Sequence, residues 1–492
     1  MPSNRVSTAE HPPMLHAAQG APRAAGARRL SVFSSMKRTL SKLGVIEERR
    51  YAPAKGYLPD RSDLYEFDPR DSRSFPITIR DGTFEWPAAA AAGTSALLQL
   101  RLAGSSSLPF GLPWIDFAAD GRAPLRQHFD RGAAGWRFLD LSALMRRGAP
   151  ARVSLTTHRT AVDGEALLRV FDQPPVGARR VLVLGAHPDD AEIAAFGLYK
   201  NCTAAVVTLT AGDAGRPYYS HIVPDLRKQG ELKTRLRVWD SLAVPLFGGV
   251  APEHIANLGY FDGSLQPMRQ NPSMTCSSKS TGRSDMNGQR RAFAPKLLRD
   301  GAAPHWESLV LDLVHVLDAF APDIVVTPHP FLDAHSDHRF GSIALFEALQ
   351  RRGGGSAGGE LWLYSNHPPY CGSWPFGPPG SPSSLAPWPR VPAKLRGFHS
   401  HPLSLDDQID KLFALESMHD LRRPPPSITR KSEWGAWSHL WEARDALLRS
   451  RAGQGTFSYM RRSVRSDEIF FVHPMTDAAA LIEAHPDARQ QW

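Results

Sequence analysis

Residues Arg179 to Lys200 read RRVLVLGAHPDDAEIAAFGLYK, and this stretch decides the fold. Val181–Gly185 is a short apolar, β-branched run of the kind buried on both faces of a sheet. Ala191–Lys200 has the small and apolar residues of a packed helix. Between them Ala186-His187-Pro188-Asp189-Asp190 turns from strand to helix with three groups that can bind a cation or move a proton. Pro188 biases His187 towards an extended backbone, which keeps the imidazole at the end of the strand. Asp190 falls where a helix N-cap is expected and Asp189 stands free beside it. An imidazole and a carboxylate three residues apart at a strand's carboxyl end make half of a divalent-metal site, although a capped turn would look the same.

A second unit repeats the pattern. Pro322–Pro328 (PDIVVTP) reads as a buried strand and is followed by HPFLDAHSDH, ending at His338, and by a helix from Arg339 to Arg351. In an open parallel sheet both loops face one crevice. Thr203–Thr210, Asp225–Leu242, Asn257–Leu265 and Trp306–Phe320 alternate strand and helix between the two units. The expectation is an α/β domain with a Rossmann-like, doubly wound, mostly parallel sheet over 176–475. Residues 266–303 are polar without periodicity and read as an insertion, either a lid or a disordered excursion. Pro368–Pro392 reads as irregular, Leu403–Arg422 and Gly435–Ser450 as helices, Glu468–Val472 as a strand and 476–492 as a tail. His367, His399 and His401 read as surface or structural histidines.

Residues 57–175 differ. Short alternating runs at Phe75–Arg80, Ala96–Leu102, Trp114–Phe117, Arg152–Thr157 and Ala166–Phe171 predict an antiparallel β-sandwich. Its Trp86, Trp114 and Trp136 either stack on sugar faces or pack the core. Residues 1–56 read as a disordered basic segment, within which Met36–Arg50 has the pattern of a short amphipathic helix.

The chain has 492 residues, a net charge of +9 and three widely spaced cysteines. No apolar run approaches the ~18 residues of a membrane span. The sparse cysteines argue against a disulfide scaffold or a thiolate zinc site and for a reducing compartment. Basic residues are dispersed without a nucleic-acid-binding module, so no nucleic acid partner is expected. The localisation expected is cytoplasmic, with peripheral contact to the inner membrane face through the basic N-terminal segment left open.

AHPDDAE at Ala186–Glu192 together with HSDH at His335–His338 resembles the PIG-L/LmbE-like zinc-dependent N-deacetylases. Leu258–Gly263 resembles the family's LGxxDG segment, and Lys411–His419 a weaker pattern. The resemblance covers roughly Arg179 to the mid-400s. It implies His187, Asp190 and His338 as ligands of Zn2+, with Fe2+ or another divalent metal open. It further implies Asp189 as general base to a metal-activated water and His335 as the group that stabilises the oxyanion or protonates the leaving amine. Asp262 and Arg235 are candidates to hold substrate, Arg237 being a neighbour of the same kind. Asp337 either orients a histidine or caps the following helix. Related enzymes can carry a Tyr before HxDH, which this loop lacks; Tyr260, Tyr364 or His329 are the substitutes considered. The activity implied is removal of an N-acetyl group from an amino sugar in a glycoconjugate or precursor. The rivals are hydrolysis of another N-acyl substrate, such as a thiol-glycoside precursor or acylated natural product, and an inactive glycan-binding protein.

Overall fold

The computed structural model describes residues 59–107, 112–119, 121–146, 148–173, 175–214, 222–353, 358–371, 374–390, 392–419, 421 and 459–484. All lie in the unit that runs from Tyr51 to Trp492. The segment 1–56, the helix expected at Gly435–Ser450 and the end of the tail from 485 fall outside the described residues.

Nine strands precede residue 175: β1 Tyr65–Phe67, β2 Arg73–Thr78, β3 Thr83–Glu85, β4 Ser95–Ser105, β5 Trp114–Ala118, β6 Leu125–His128, β7 Gly135–Asp140, β8 Arg152–His158 and β9 Thr160–Phe171. Eight of them form two four-stranded antiparallel sheets, ordered β2-β9-β4-β7 and β3-β8-β5-β6. Alternation explains the shared core: Leu98, Leu100 and Leu168 of one sheet meet Ile115, Phe117 and Val153 of the other. The run SALLQL of β4 is apolar at successive positions because its second face is also covered. Leu97, Phe138 and Phe171 pack with Phe398 and Phe471 from the C-terminal half. Strand β7, GWRFLD, lacks alternation for the same reason and was not foreseen. Trp86 belongs to the core, whereas Trp114 is held between the ring of His158, 4.9 Å away, and the guanidinium of Arg126 at 3.7 Å.

The second half contributes β10 Arg180–Gly185, β11 Thr203–Thr210, β12 Ile255–Tyr260, β13 Arg291–Ala292, β14 Ile324–Pro328, β15 Glu360–Tyr364, β16 Ala393–Leu395, β17 Gly397–Pro402 and β18 Asp467–Pro474. Its long helices are α1 Asp190–Lys200, α2 Leu226–Phe247, α3 Trp306–Phe320, α4 Ser336–Arg351 and α5 Leu405–Ser417. The sheet order is β13-β12-β11-β10-β14-β15-β18-β17, parallel from β12 to β15 and antiparallel at both flanks. β16 pairs instead with β1, in parallel. Val181 and Val183 face α1, α2 and α5, while Leu182 and Leu184 share a core with α3 and α4. The chain moves outward from β10 to β12, then returns to β14 on the other side of β10. Adjacent loops therefore diverge after β10 and β14, opening a crevice at their carboxyl ends. Among the described residues no helix is long and apolar enough to cross a membrane.

The polar stretch 266–303 is not a disordered excursion. β13 pairs with β12, Met286 and Leu297 enter the core, and Arg290 forms buried bonds of 2.8 and 3.0 Å to Asp312. Its polar side chains have partners on the body, which polarity without periodicity could not reveal.

Helix α1 breaks at Ala195, where φ is −143°. The freed N–H groups of Gly197 and Leu198 donate to the two Glu468 oxygens, both at 2.9 Å, and Lys411 Nζ lies 2.7 Å from the same buried carboxylate. Removing one partner strands a charge out of water, at a cost of about 3–5 kcal/mol. Lys411→Met is expected to lower unfolding stability by that amount in urea titrations.

Acid should also weaken the fold. The His399 ring packs against Trp362 with centroids 4.3 Å apart and planes tilted by 38°, and neither of its ring nitrogens has a hydrogen-bond partner among the described residues. Burial depresses its pKa to about 3, and burial with Arg465 and Arg126 depresses that of His128 to about 4. Unfolded histidines titrate near 6.5, so below that pH the unfolded chain binds more protons. Stability is complete above pH 6.5 and falls as pH drops towards 4. In His399→Phe this acid loss should shrink by on the order of 1 kcal/mol, read from denaturation midpoints at pH 7 and 5.

Candidate metal centre

The loop after β10 places Asp189 at φ 129°, a backbone region unusual for a side-chain-bearing residue. The helix begins at Asp190, so Asp189 and not Asp190 occupies the N-cap position, without a side-chain capping bond. Asp190 is turned inward instead. Its Oδ2 accepts from His187 N at 2.8 Å and lies 3.3 Å from His187 Nδ1 and 3.0 Å from His338 Nε2. The two ring nitrogens are 3.2 Å apart. Ligands about 2.0–2.2 Å from a tetrahedral ion stand about 3.3–3.5 Å from one another, close to these separations.

The outer nitrogens show which lone pairs point inward. His187 Nε2 lies 3.3 Å from both Asp262 Oδ1 and Asp337 Oδ2, and His338 Nδ1 lies 3.1 Å from Asp333 Oδ2. Carboxylates accept only, so each outer nitrogen carries the proton and each inner nitrogen offers a lone pair. Two lone pairs and a carboxylate oxygen converging on one point repel unless a proton or cation lies between them. The donor set of two imidazoles and one carboxylate, with room for a further ligand, fits a hydrolytic divalent metal.

Electrostatics agree. Burial alone would depress His187, but the carboxylates of Asp262, Asp190 and Asp337 overcome it and hold its pKa well above the ordinary value. His338 is likewise buried, yet Asp190 and Asp333 raise it to about 10. Asp190 is driven well below the carboxylate range, against its burial, by His338 and His187. The pocket favours positive charge at the point where the three side chains meet.

Asp337 lies beside a histidine rather than at a helix cap. It is fully buried, accepts from Gly263 N at 2.5 Å and Leu265 N at 3.1 Å, and faces His187. The helix cap is His335, because α4 starts at Ser336 rather than Arg339; its Nδ1 accepts from Asp337 N at 3.3 Å. The His335 ring meets His187 edge-on with centroids 4.5 Å apart. Burial, then His187 and His338, lowers the pKa of His335 to about 3. Asp262 is fixed by its backbone N–H to Asp213 Oδ1 at 2.8 Å.

Other expectations change. Arg235 is exposed to solvent, while Arg237, two residues on, is the buried member of the pair. Arg237 Nη2 donates to Pro188 O at 2.7 Å and lies 3.5 Å from Asp189 Oδ2. None of the proposed substitutes for the loop Tyr supplies a hydroxyl or ring nitrogen here. Tyr260 OH donates to Asp312 at 2.8 Å, Tyr364 OH to Leu184 O at 3.0 Å, and buried His329 accepts from Phe331 N and Leu332 N. Each is drawn into the core because burial leaves its polar atom needing a local partner.

Three contributors were not foreseen. Asp333 receives His335 N, Asn366 N and His367 N besides holding His338. Asn366 Nδ2 donates to Asp190 Oδ1 at 3.0 Å. His367 is no remote histidine: its ring lies 5.0 Å from that of His338, and Asp190, His338 and His367 form a further group able to hold a cation. The available signal was position, since Asn366 and His367 follow β15, the next parallel strand after β14. Because Asp333 orients a ligand, Asp333→Asn is expected to weaken metal binding about 10–100-fold, measured by chelator competition.

These features define a crevice at the switch point of a partly parallel sheet, lined by a His/Asp cluster able to hold a metal ion. Residues 182–349 match the model of the PIG-L family, described as GlcNAc-PI de-N-acetylase, and the chain carries a domain of this LmbE-like family. The family is one of hydrolytic deacetylases that are generally metal-dependent. No curated protein matches the chain. Among solved structures, GalB, the 4-carboxy-2-hydroxymuconate hydratase of Pseudomonas putida KT2440, is 13% identical, with 60% of this chain and 95% of that one covered and a TM-score of 0.27. A family two carbohydrate esterase from Cellvibrio japonicus is 12% identical, with 72% and 98% covered and a TM-score of 0.15.

Proposed function

We propose that the protein is a divalent-metal-dependent amide hydrolase that removes an N-acetyl group from an amino sugar in a glycoconjugate or its precursor. The observation that carries this reading is the convergence of His187, Asp190 and His338 on one point, beside Asp189. The site belongs to a Rossmann-like doubly wound domain over 176–475, with 57–175 as a β-sandwich accessory domain. Zinc suits the donor set, with iron(II) as the alternative.

A bound divalent cation would act there as a Lewis acid towards the amide carbonyl and would acidify water. Asp189 accepts the proton of the attacking water and passes it to the amine nitrogen as the C–N bond breaks, while Arg237 holds that carboxylate in place. His335 is neutral, and its Nδ1 already accepts a backbone N–H, so its proton resides on Nε2. It therefore donates a hydrogen bond to the amide oxygen as negative charge develops. Asp262 steadies His187 and supplies an acceptor for substrate hydroxyls. Asp333 and Asp337 hold the two ligand rings in their working tautomers.

The test is release of amine and acetate from N-acetylglucosamine and N-acetylgalactosamine conjugates, with a panel of other acyl amides, before and after chelation. Chelator-sensitive release from an acetylated sugar supports the reading. Metal binding without release from any acetylated sugar discards the substrate class, and failure to bind metal discards the mechanism.

A further inference from the structure

A hollow of about 60 Å³ lies along the crevice edge of the sheet, where β15 ends and the antiparallel β18 begins. Its wall is mostly carbon: Ile193 of α1, Leu332, Trp374, Pro375, Leu385 and Phe471. The charged side chains that border it are held by one another or by the main chain. Lys411 Nζ pairs with Glu468 at 2.7 Å, Asp467 accepts from Ser383 N at 2.8 Å, and Arg465 Nη2 donates to Phe376 O at 2.7 Å.

Asn366 is the wall this hollow shares with the metal centre. It lines the hollow, and its Nδ2 donates to Asp190 Oδ1 at 3.0 Å, while Oδ2 of the same carboxylate faces His187 and His338. Ile193 stands one turn of α1 beyond Asp189 and Asp190. Asp262, the acceptor assigned to substrate hydroxyls, instead contacts the outer nitrogen of His187. The two halves of a bound amide therefore have different neighbours, a hydroxyl acceptor on one side and a carbon-lined hollow on the other.

Size decides the occupant. A cavity of about 150 Å³ holds benzene, so this one holds about two or three carbon atoms. That is too little for a sugar ring or a long lipid tail.

We propose that the hollow receives the end of the substrate's acyl chain, so that the enzyme cleaves amides of short-chain acids up to about butyryl or valeryl rather than of acetate alone. This rests on the reading of the centre as an amide hydrolase. Water adds to the acyl carbon, the C–N bond breaks, and the products are the free amine and the short-chain carboxylate.

The experiment measures kcat/KM on N-acylglucosamines from acetyl to octanoyl, with N-succinylglucosamine added. Each methylene taken from water is worth about fourfold, so the value should rise about two- to fourfold per carbon as far as butyryl or valeryl, then fall by octanoyl. Ala194→Leu and Ala386→Leu fill the hollow from opposite chain segments, and each should lower the butyryl-to-acetyl ratio at least about fivefold. A steady decline from acetyl onward, or a ratio unmoved in both variants, overturns the proposal. N-succinyl has the length of butyryl with a terminal charge and should be cleaved at least about tenfold more slowly. A preference for it would show that Arg465, whose Nε has no partner among the described residues, selects an anion, and would overturn the apolar occupant. If no acyl sugar is cleaved, the hydrolase reading fails, and calorimetry on the same proteins decides the hollow separately. Tighter binding of N-butyryl- than N-acetylglucosamine, lost in the filled variants, supports an acyl site; equal or absent binding overturns it. Should one variant unfold, the other decides.

Discussion

His338→Ala is expected to abolish stoichiometric metal binding and to reduce amide hydrolysis to background. His338 is fully buried and offers Nε2 to the centre while Asp333 holds its other nitrogen. Losing a group that merely orients a ligand costs about 10–100-fold in affinity, so losing the ligand itself should cost on the order of 10³-fold or more. The residual pair, His187 and Asp190, would be left with excess negative charge from Asp333, Asp337 and Asp262. His338→Gln, which preserves more of the volume, separates loss of ligation from a packing defect. Both variants should lose metal in elemental analysis while core amide protection persists. Full metal occupancy and unimpaired turnover in either one would show that the reaction takes place elsewhere.

Asp189→Asn should act differently. Metal content should stay at the wild-type level, because His187, Asp190 and His338 are untouched. The catalytic constant should fall by about 10²–10⁴-fold, the usual contribution of a positioned general base. Asn keeps the shape and an acceptor oxygen for Arg237, so KM should move little. The comparison therefore isolates proton acceptance from assembly of the centre. A turnover within about threefold of wild type would exclude Asp189 as base and leave Arg237 holding a purely structural carboxylate.

The contrast between Arg235 and Arg237 shows where the sequence stops being informative. Both lie on α2, and a difference of two positions rotates a side chain by about 200° around the helix. Periodicity marks a helix strongly, but the face that meets a neighbouring loop depends on how that helix is docked. The same limit explains Asp190 and Asp189, whose inward-turned and N-cap positions depend on a single unusual φ. It also explains Asp333, Asn366 and His367, which become neighbours only because β14 and β15 lie side by side. Residues 266–303 were misread because their partners are distant in sequence: Asp312 for Arg290 and Asp213 for Ser278.

By itself the sequence determined the two strand–loop–helix units, the parallel arrangement they imply and the antiparallel character of the N-terminal strands, whereas the choice of His187, Asp190 and His338 came from the family resemblance. Those inferences rest on local patterns, namely apolar runs, turn residues and the spacing of donors, which nearby residues suffice to specify. Only the tertiary structure decided which nitrogen of each histidine points inward, which carboxylate steadies which ring, and which arginine reaches the site. Those choices follow from long-range packing, where burial forces every polar atom to find a partner and the available partner is set by neighbouring strands rather than neighbouring residues.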